Sequence, residues 1–143
     1  MPARPGTSFY DTYVYEICPK LQEIDLLIKT SEDEISISDA ACALAIPVSE
    51  VEEIMRRRHM NSICRDNFVQ IMEEGSSQIC ALYRREKKCG SPFLYSREHI
   101  SYIYNIDLDT INQVCDALNI REMTWYMLPI VFQRIQVKKG MSY

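Results

Sequence analysis

The sequence predicts an all-α protein, a compact helical bundle built around two short paired-helix units, and three features of the text point there. Apolar residues recur at three- and four-residue intervals over most of the chain, the spacing of one helix face. Serine, threonine, aspartate and asparagine stand where these stretches begin, as helix caps do. One segment also lies on another when the chain is slid by sixty residues.

The first element is expected over Phe9 to Ile28, where Tyr10, Val14, Ile17, Leu21, Ile24 and Ile28 form an apolar stripe and Pro19 kinks or divides the helix. The first eight residues are expected to be disordered. Thr30-Ser31-Glu32-Asp33-Glu34 interrupts the pattern as a loop, and a new element begins near Ser36. Two short helices follow, with cap candidates at Ser38 and Ser49 and a turn around Ile46-Pro47-Val48. Ser62 to Met72 reads as helix up to Gly75. Ser76 or Ser77 then caps a helix running through Ile79, Leu82 and Tyr83 to Lys88, which Gly90-Ser91-Pro92 ends. From Ser96 two further short helices flank a turn, with Asn105 suited to a left-handed backbone and Asp109 to an N-cap. Glu122 to Val137 reads as a docked helix bent by Pro129, and Lys138-Lys139-Gly140 as a fraying basic end.

The shift of sixty residues places Ala40 on Ile100, Ala43 on Ile103, Leu44 on Tyr104 and Ile46 on Ile106. Beyond the turn, Ser49 falls on Asp109, Val51 on Ile111 and Ile54 on Val114. Both segments, Ile37 to Arg56 and Arg97 to Asp116, resemble the helix-turn-helix family of DNA-binding motifs. In that family a small residue in the first helix lets the second cross closely, and apolar residues lock the angle. Here Ala41 and Ser101 are the small residues and Ala45 and Asn105 open the turns. Leu44, Ile46, Val51 and Ile54 lock the first unit, and Tyr104, Ile106, Ile111 and Val114 the second. The resemblance implies recognition helices at Ser49 to Arg58 and Asp109 to Leu118.

The chain of 143 residues, 47% of them hydrophobic, is long enough for a packed core. Its net charge of −4 is unevenly spread: residues 1–75 hold seven Lys/Arg against fourteen Asp/Glu, and residues 76–143 nine against six. The expected organisation is therefore an acidic helical unit over residues 9–75 and a basic one over 76–143, each with one helix-turn-helix. A polyanion would favour the second.

No stretch reaches the roughly 20 apolar residues that span a bilayer. The N-terminus lacks the apolar core of a secretory signal, so a cytoplasmic protein is expected. The six cysteines show no two-to-four-residue pairing, which argues for reduced, mostly buried thiols with Cys89 the most exposed, and for no metal or cofactor. The histidines His59 and His99 have no sequence neighbour to complete a catalytic or metal arrangement, and the four glycines build no phosphate-cradling loop, so no enzyme is expected.

A DNA-reading helix needs groups that pair with base edges and cations near phosphate. In the second unit Thr110, Asn112 and Gln113 lie off the apolar face. Arg84, Arg85, Lys87, Lys88, Arg97 and Arg121, with Lys138 and Lys139, are candidate phosphate contacts. Glu50, Glu52 and Glu53 make the first unit a poor reader, although Arg56, Arg57 and Arg58 end its second helix. The leading expectation is a regulator gripping double-stranded DNA through the second unit. The alternative is an acidic helical interaction module, an adaptor or inhibitor, whose N-terminal half meets a protein partner. A structural subunit is the third reading. The apolar segment Trp125 to Ile135 is a candidate homodimer surface.

Overall fold

The computed structural model describes residues 8–31, 33–90, 92–137 and 143. The expected disorder over the first seven residues, and the roles given to Glu32, Ser91, Lys138, Lys139 and Gly140, lie outside them. The protein is all-α: short helices carry its core, and the described residues form one two-stranded sheet besides isolated bridges. It divides into two compact units, one of residues 18–84 and the other of residues 85–143 with the N-terminal residues up to Ile17. The division thus differs from a boundary after residue 75. Residues 76–84 belong to the first unit with those before Gly75, while the N-terminal segment joins the second, where the Phe9 N–H donates to the Ile135 carbonyl at 2.7 Å.

The N-terminal stripe forms α1 (Phe9–Thr12), a π-helical turn over Tyr13–Ile17, and α2 (Cys18–Thr30). Pro19 is the second residue of α2, directly after the π-helical turn. Its missing N–H and its ring exclude a regular α-turn before it, and the chain widens there. Next come α3 (Ile37–Leu44) and α4 (Val48–Arg57), then α5 (Arg65–Glu74) and α6 (Gln78–Lys88). The second unit continues with β1 (Tyr95–Ser96), α7 (Arg97–Tyr104), α8 (Leu108–Leu118), β2 (Glu122–Met123), a 3₁₀ turn at Trp125–Met127 and α9 (Leu128–Phe132).

Three caps sit two residues earlier than the sequence suggests. Ser36, not Ser38, caps α3, with its Oγ accepting from the Asp39 N–H at 3.0 Å. Pro47 stands at the N-cap of α4 and Asp107 at that of α8, leaving Ser49 and Asp109 inside the first turns. Pro47 holds φ at −65° with ψ at 152°, so the helix starts at the next residue. The single docked helix expected over Glu122 to Val137 is instead a strand, a 3₁₀ turn and the five-residue α9. Pro129 lies in the first turn of α9, where its lost N–H costs nothing, and so initiates the helix rather than bending it.

The two units share one plan, offset by sixty residues. Ala45 (φ 55°) ends α3 and Asn105 (φ 55°) ends α7, both left-handed. The Ile46 N–H then returns to the Ala41 carbonyl at 3.1 Å, and the Ile106 N–H to the Ser101 carbonyl at 3.0 Å, closing each C-terminus as a Schellman turn does. His59 (φ 56°) and Asn119 (φ 56°) repeat the device after α4 and α8. The Met60 and Ile120 N–H groups bond back to the Met55 and Cys115 carbonyls, each at 2.8 Å. The bases of both helix pairs are tied: Ile35 bridges Ile63, and Tyr95 pairs with Met123. Each paired apolar position of the sequence repeat, from Ala40 with Ile100 to Ile54 with Val114, is buried in both copies.

Around these pairs, Phe68, Ile71, Ile79 and Leu82 complete the first core, while Phe9, Tyr13, Tyr104 and Phe132 lock edge to face in the second, with ring centroids 4.8–6.1 Å apart. Gly75 is buried against Cys80, and a Cβ there would overlap the Cys80 Sγ.

Two stability experiments follow from this geometry. Alanine pays a left-handed penalty that glycine and asparagine largely escape, so Ala45→Gly should raise the stability of its unit by up to about 1 kcal/mol, whereas Asn105→Ala should lower stability by a similar amount. Denaturant melts giving both changes the same sign would refute this. Gly75→Ala should destabilise by about 1–3 kcal/mol through overpacking, and adding Cys80→Ala should recover part of the loss.

Candidate nucleic-acid interface

In α8, Ile111, Val114 and Cys115 turn into the core, which leaves Asp109, Gln113, Asp116 and Ala117 exposed and Thr110 and Asn112 half-buried at the edges. The three polar residues singled out in the sequence thus share the outer part of one helix. They are not equally disposed. Gln113 stands in solvent, Thr110 donates over a long 3.5 Å to the Asp107 carboxylate, and the Asn112 Oδ1 accepts from Arg97 at 3.4 Å.

The candidate cations fall into two groups. Arg84, in the unit of residues 18–84, donates through Nη1 to the carbonyls of Gly75 at 2.6 Å and Glu73 at 3.3 Å, at the end of α5. Arg85, in the other unit, donates through Nε to the Ile103 carbonyl at 2.8 Å, in the last turn of α7. Arg97 donates to the Ile120 carbonyl through Nε at 3.2 Å and Nη2 at 2.7 Å, and through Nη1 to Asp116 at 2.8 Å. These three arginines serve helix C-termini, where carbonyls lack partners and the dipole favours a cation. Lys87, Lys88 and Arg121 are exposed, and the Lys88 ammonium lies 5.9 Å from the centre of the Tyr102 ring.

In the first unit the acidic start of α4 has a structural use. Glu50 accepts from both the N–H and the Oγ of Ser76, at 2.8 and 2.6 Å, and so ties α4 to the entry of α6. Ser77 provides the cap, its Oγ accepting from the Cys80 N–H at 3.2 Å. Arg56 pairs with Glu53, Arg57 with Glu74, and Arg58 with Glu73 and Glu74. The arginine run is therefore spent largely on neighbouring carboxylates, and Glu52 stays exposed. The two histidines end or begin helices: His59 takes the left-handed position after α4, and His99 Nδ1 accepts from the Ser96 N–H at 3.2 Å while Ser96 Oγ accepts from the His99 N–H at 3.1 Å. That reciprocal capping box uses histidine where Glu or Gln is usual.

The Glu50–Ser76 link and the carbonyl bonds of Arg84, Arg85 and Arg97 had no signature in the sequence. Each joins residues at least 9 apart, and local periodicity carries no information on such pairs. Trp125 and Tyr126 stack at 4.1 Å and, with Ile130, face outward, while Leu128, Val131, Phe132 and Ile135 are buried in their own unit. Among the described residues, no group of His, Cys, Asp and Glu could hold a metal ion, and no helix is long and apolar enough to cross a membrane. No protein-family model, curated protein or solved structure matches the chain.

The exposed thiol is Cys42 rather than Cys89, because α3 turns Ala40, Ala41, Ala43 and Leu44 inward. Burial pushes the Cys80 and Cys115 thiols above their ordinary range. A thiol reagent at neutral pH should thus modify Cys42 first and reach Cys80 and Cys115 only on unfolding. Mass mapping that found Cys80 labelled as fast as Cys42 would contradict the packing.

Proposed function

We propose that the protein is a cytoplasmic DNA-binding regulator of helix-turn-helix type, in which α8 reads duplex DNA. The observation that carries this reading is the twice-built helix pair. In both copies a left-handed residue, a returning backbone bond and a tied base hold the second helix at a fixed angle to the first. A rigidly presented second helix is what major-groove readout requires, and α8 offers Gln113, Asn112 and Thr110 as hydrogen-bonding groups. Lys87, Lys88 and Arg121 are the cations suited to phosphate. With three arginines engaged at carbonyls, phosphate contacts are few, so affinity should rest on base edges more than on charge.

A second reading, an acidic helical module that binds a basic protein partner, is favoured by one specific observation. Asp109 and Asp116 both stand on the exposed side of α8, which has no Lys or Arg of its own, although Arg97 of α7 pairs with Asp116 at 2.8 Å. In that case the exposed Trp125, Tyr126 and Ile130 would add apolar contact area, in a protein complex or in a homodimer.

Fluorescence anisotropy with mixed-sequence duplexes at low and moderate salt separates the two. The DNA reading expects salt-dependent binding with a shallow slope. Lys87→Glu/Lys88→Glu should weaken it at least tenfold and reduce the slope of log K against log salt by about 2. Gln113→Ala should instead lower affinity for a selected site alone. No binding by the wild type even at low salt would transfer the assignment to the protein-interaction module.

A further inference from the structure

We propose that Arg97 is a positioning residue for base reading by Asn112 and not a phosphate contact; the proposal rests on the DNA-binding reading of α8. Arg97 is the first residue of α7, and its side chain crosses to the far end of the partner helix. There it meets Asn112, Asp116 and the Ile120 carbonyl. These sit at intervals of four along α8 and its C-terminal turn, so one guanidinium lines a single ridge of the helix.

Three consequences follow from the chemistry of this contact. Arginine has five N–H donors and no acceptor, so the atom of Asn112 that it holds is the oxygen. The contact is long, 3.4 Å, but it turns the amide oxygen toward the guanidinium, so that the Nδ2 protons are the donors Asn112 has for another partner. All three nitrogens of Arg97 are also engaged within the unit: Nε and Nη2 converge on the Ile120 carbonyl, and Nη1 reaches Asp116 and Asn112. Turning it toward a phosphate would strand that carbonyl at the negative end of the α8 dipole and release Asp116 beside the DNA. Its side chain is only 20% exposed, against 71% for Asp116. The arginine therefore acts from behind the helix, and its effect belongs in base preference rather than in counterion release.

The test is selection of the full chain on a randomised duplex library, followed by anisotropy titrations on the selected site. Wild type is compared with Arg97→Lys, Arg97→Ala, Asn112→Ala and Asn112→Asp, and each variant is first melted to confirm folding. Lysine keeps the charge but cannot form the fork. Arg97→Lys and Asn112→Ala should therefore relax preference at the same base-pair position, lowering discrimination there by about tenfold, and Arg97→Ala should leave the salt slope unchanged. Asn112→Asp keeps an oxygen for Arg97 and removes the outward N–H donors. It should remain as stable as wild type yet lose the preference, and this arm stands even if the Arg97 variants fold poorly. Retained wild-type preference in Arg97→Lys or Asn112→Asp would overturn the proposal. So would a salt slope reduced by about 1 in Arg97→Ala with preference intact, the mark of a phosphate contact. A wild type that selects no sequence would remove the DNA-binding reading itself, an outcome distinct from variants that select the wild-type site.

Discussion

Each unit depends on one backbone conformation, the left-handed residue that ends its first helix. At Ala45 and Asn105 the chain reverses out of the helix, and the next residue's N–H returns to a carbonyl of the last turn. Ile46 and Ile106 are thereby driven into the core, and the second helix must begin within two residues. Ala41 is buried in the last turns of α3, and at the matching position Ser101 donates its hydroxyl to the Ile106 carbonyl at 2.6 Å. Without the left-handed turn, Val51 and Ile54, or Ile111 and Val114, would meet solvent instead of the core.

The tie at the base of each pair reinforces that turn. Residues 35 and 63, and residues 95 and 123, pair where the helices enter and leave, so each helix hairpin is held at both ends of its path. A helix of eight residues is too short to persist by its own hydrogen bonds. Packing and ties supply the rest. The same constraint explains why charged residues of the second helices are drawn into structural bonds: Glu50 secures Ser76, and Asp116 receives Arg97.

That use of charge changes what the surface can do. A tally of Lys and Arg suggests a basic C-terminal half suited to phosphate, yet Arg85 and Arg97 are directed at carbonyls of their own unit. An arginine placed on a helix end satisfies orphan acceptors that water would otherwise serve, and it is then costly to recruit elsewhere. In the DNA-binding reading proposed above, base-edge chemistry on α8 and electrostatic attraction to a duplex are thus separable, and salt dependence and base preference would report on different side chains.

The helical class, the sixty-residue repeat, the buried register from Ala40 to Ile54 and from Ile100 to Val114, and the left-handed turn at Asn105 were all legible in the sequence. Each is written in local spacing or in the conformational preference of a single residue. Three caps lie two residues before the positions that the sequence suggests, because more than one residue can start each helix. There Ser36 wins by reaching the Asp39 N–H, and Pro47 by fixing its own φ. The apolar periodicity of the last segment suggests one helix, but pairing of Glu122 and Met123 with the strand before α7 claims its first residues. Only the tertiary structure decided the division into units, the two base ties, and which cations are engaged. These depend on contacts between residues far apart in the chain, and only the folded backbone brings such partners within hydrogen-bonding reach.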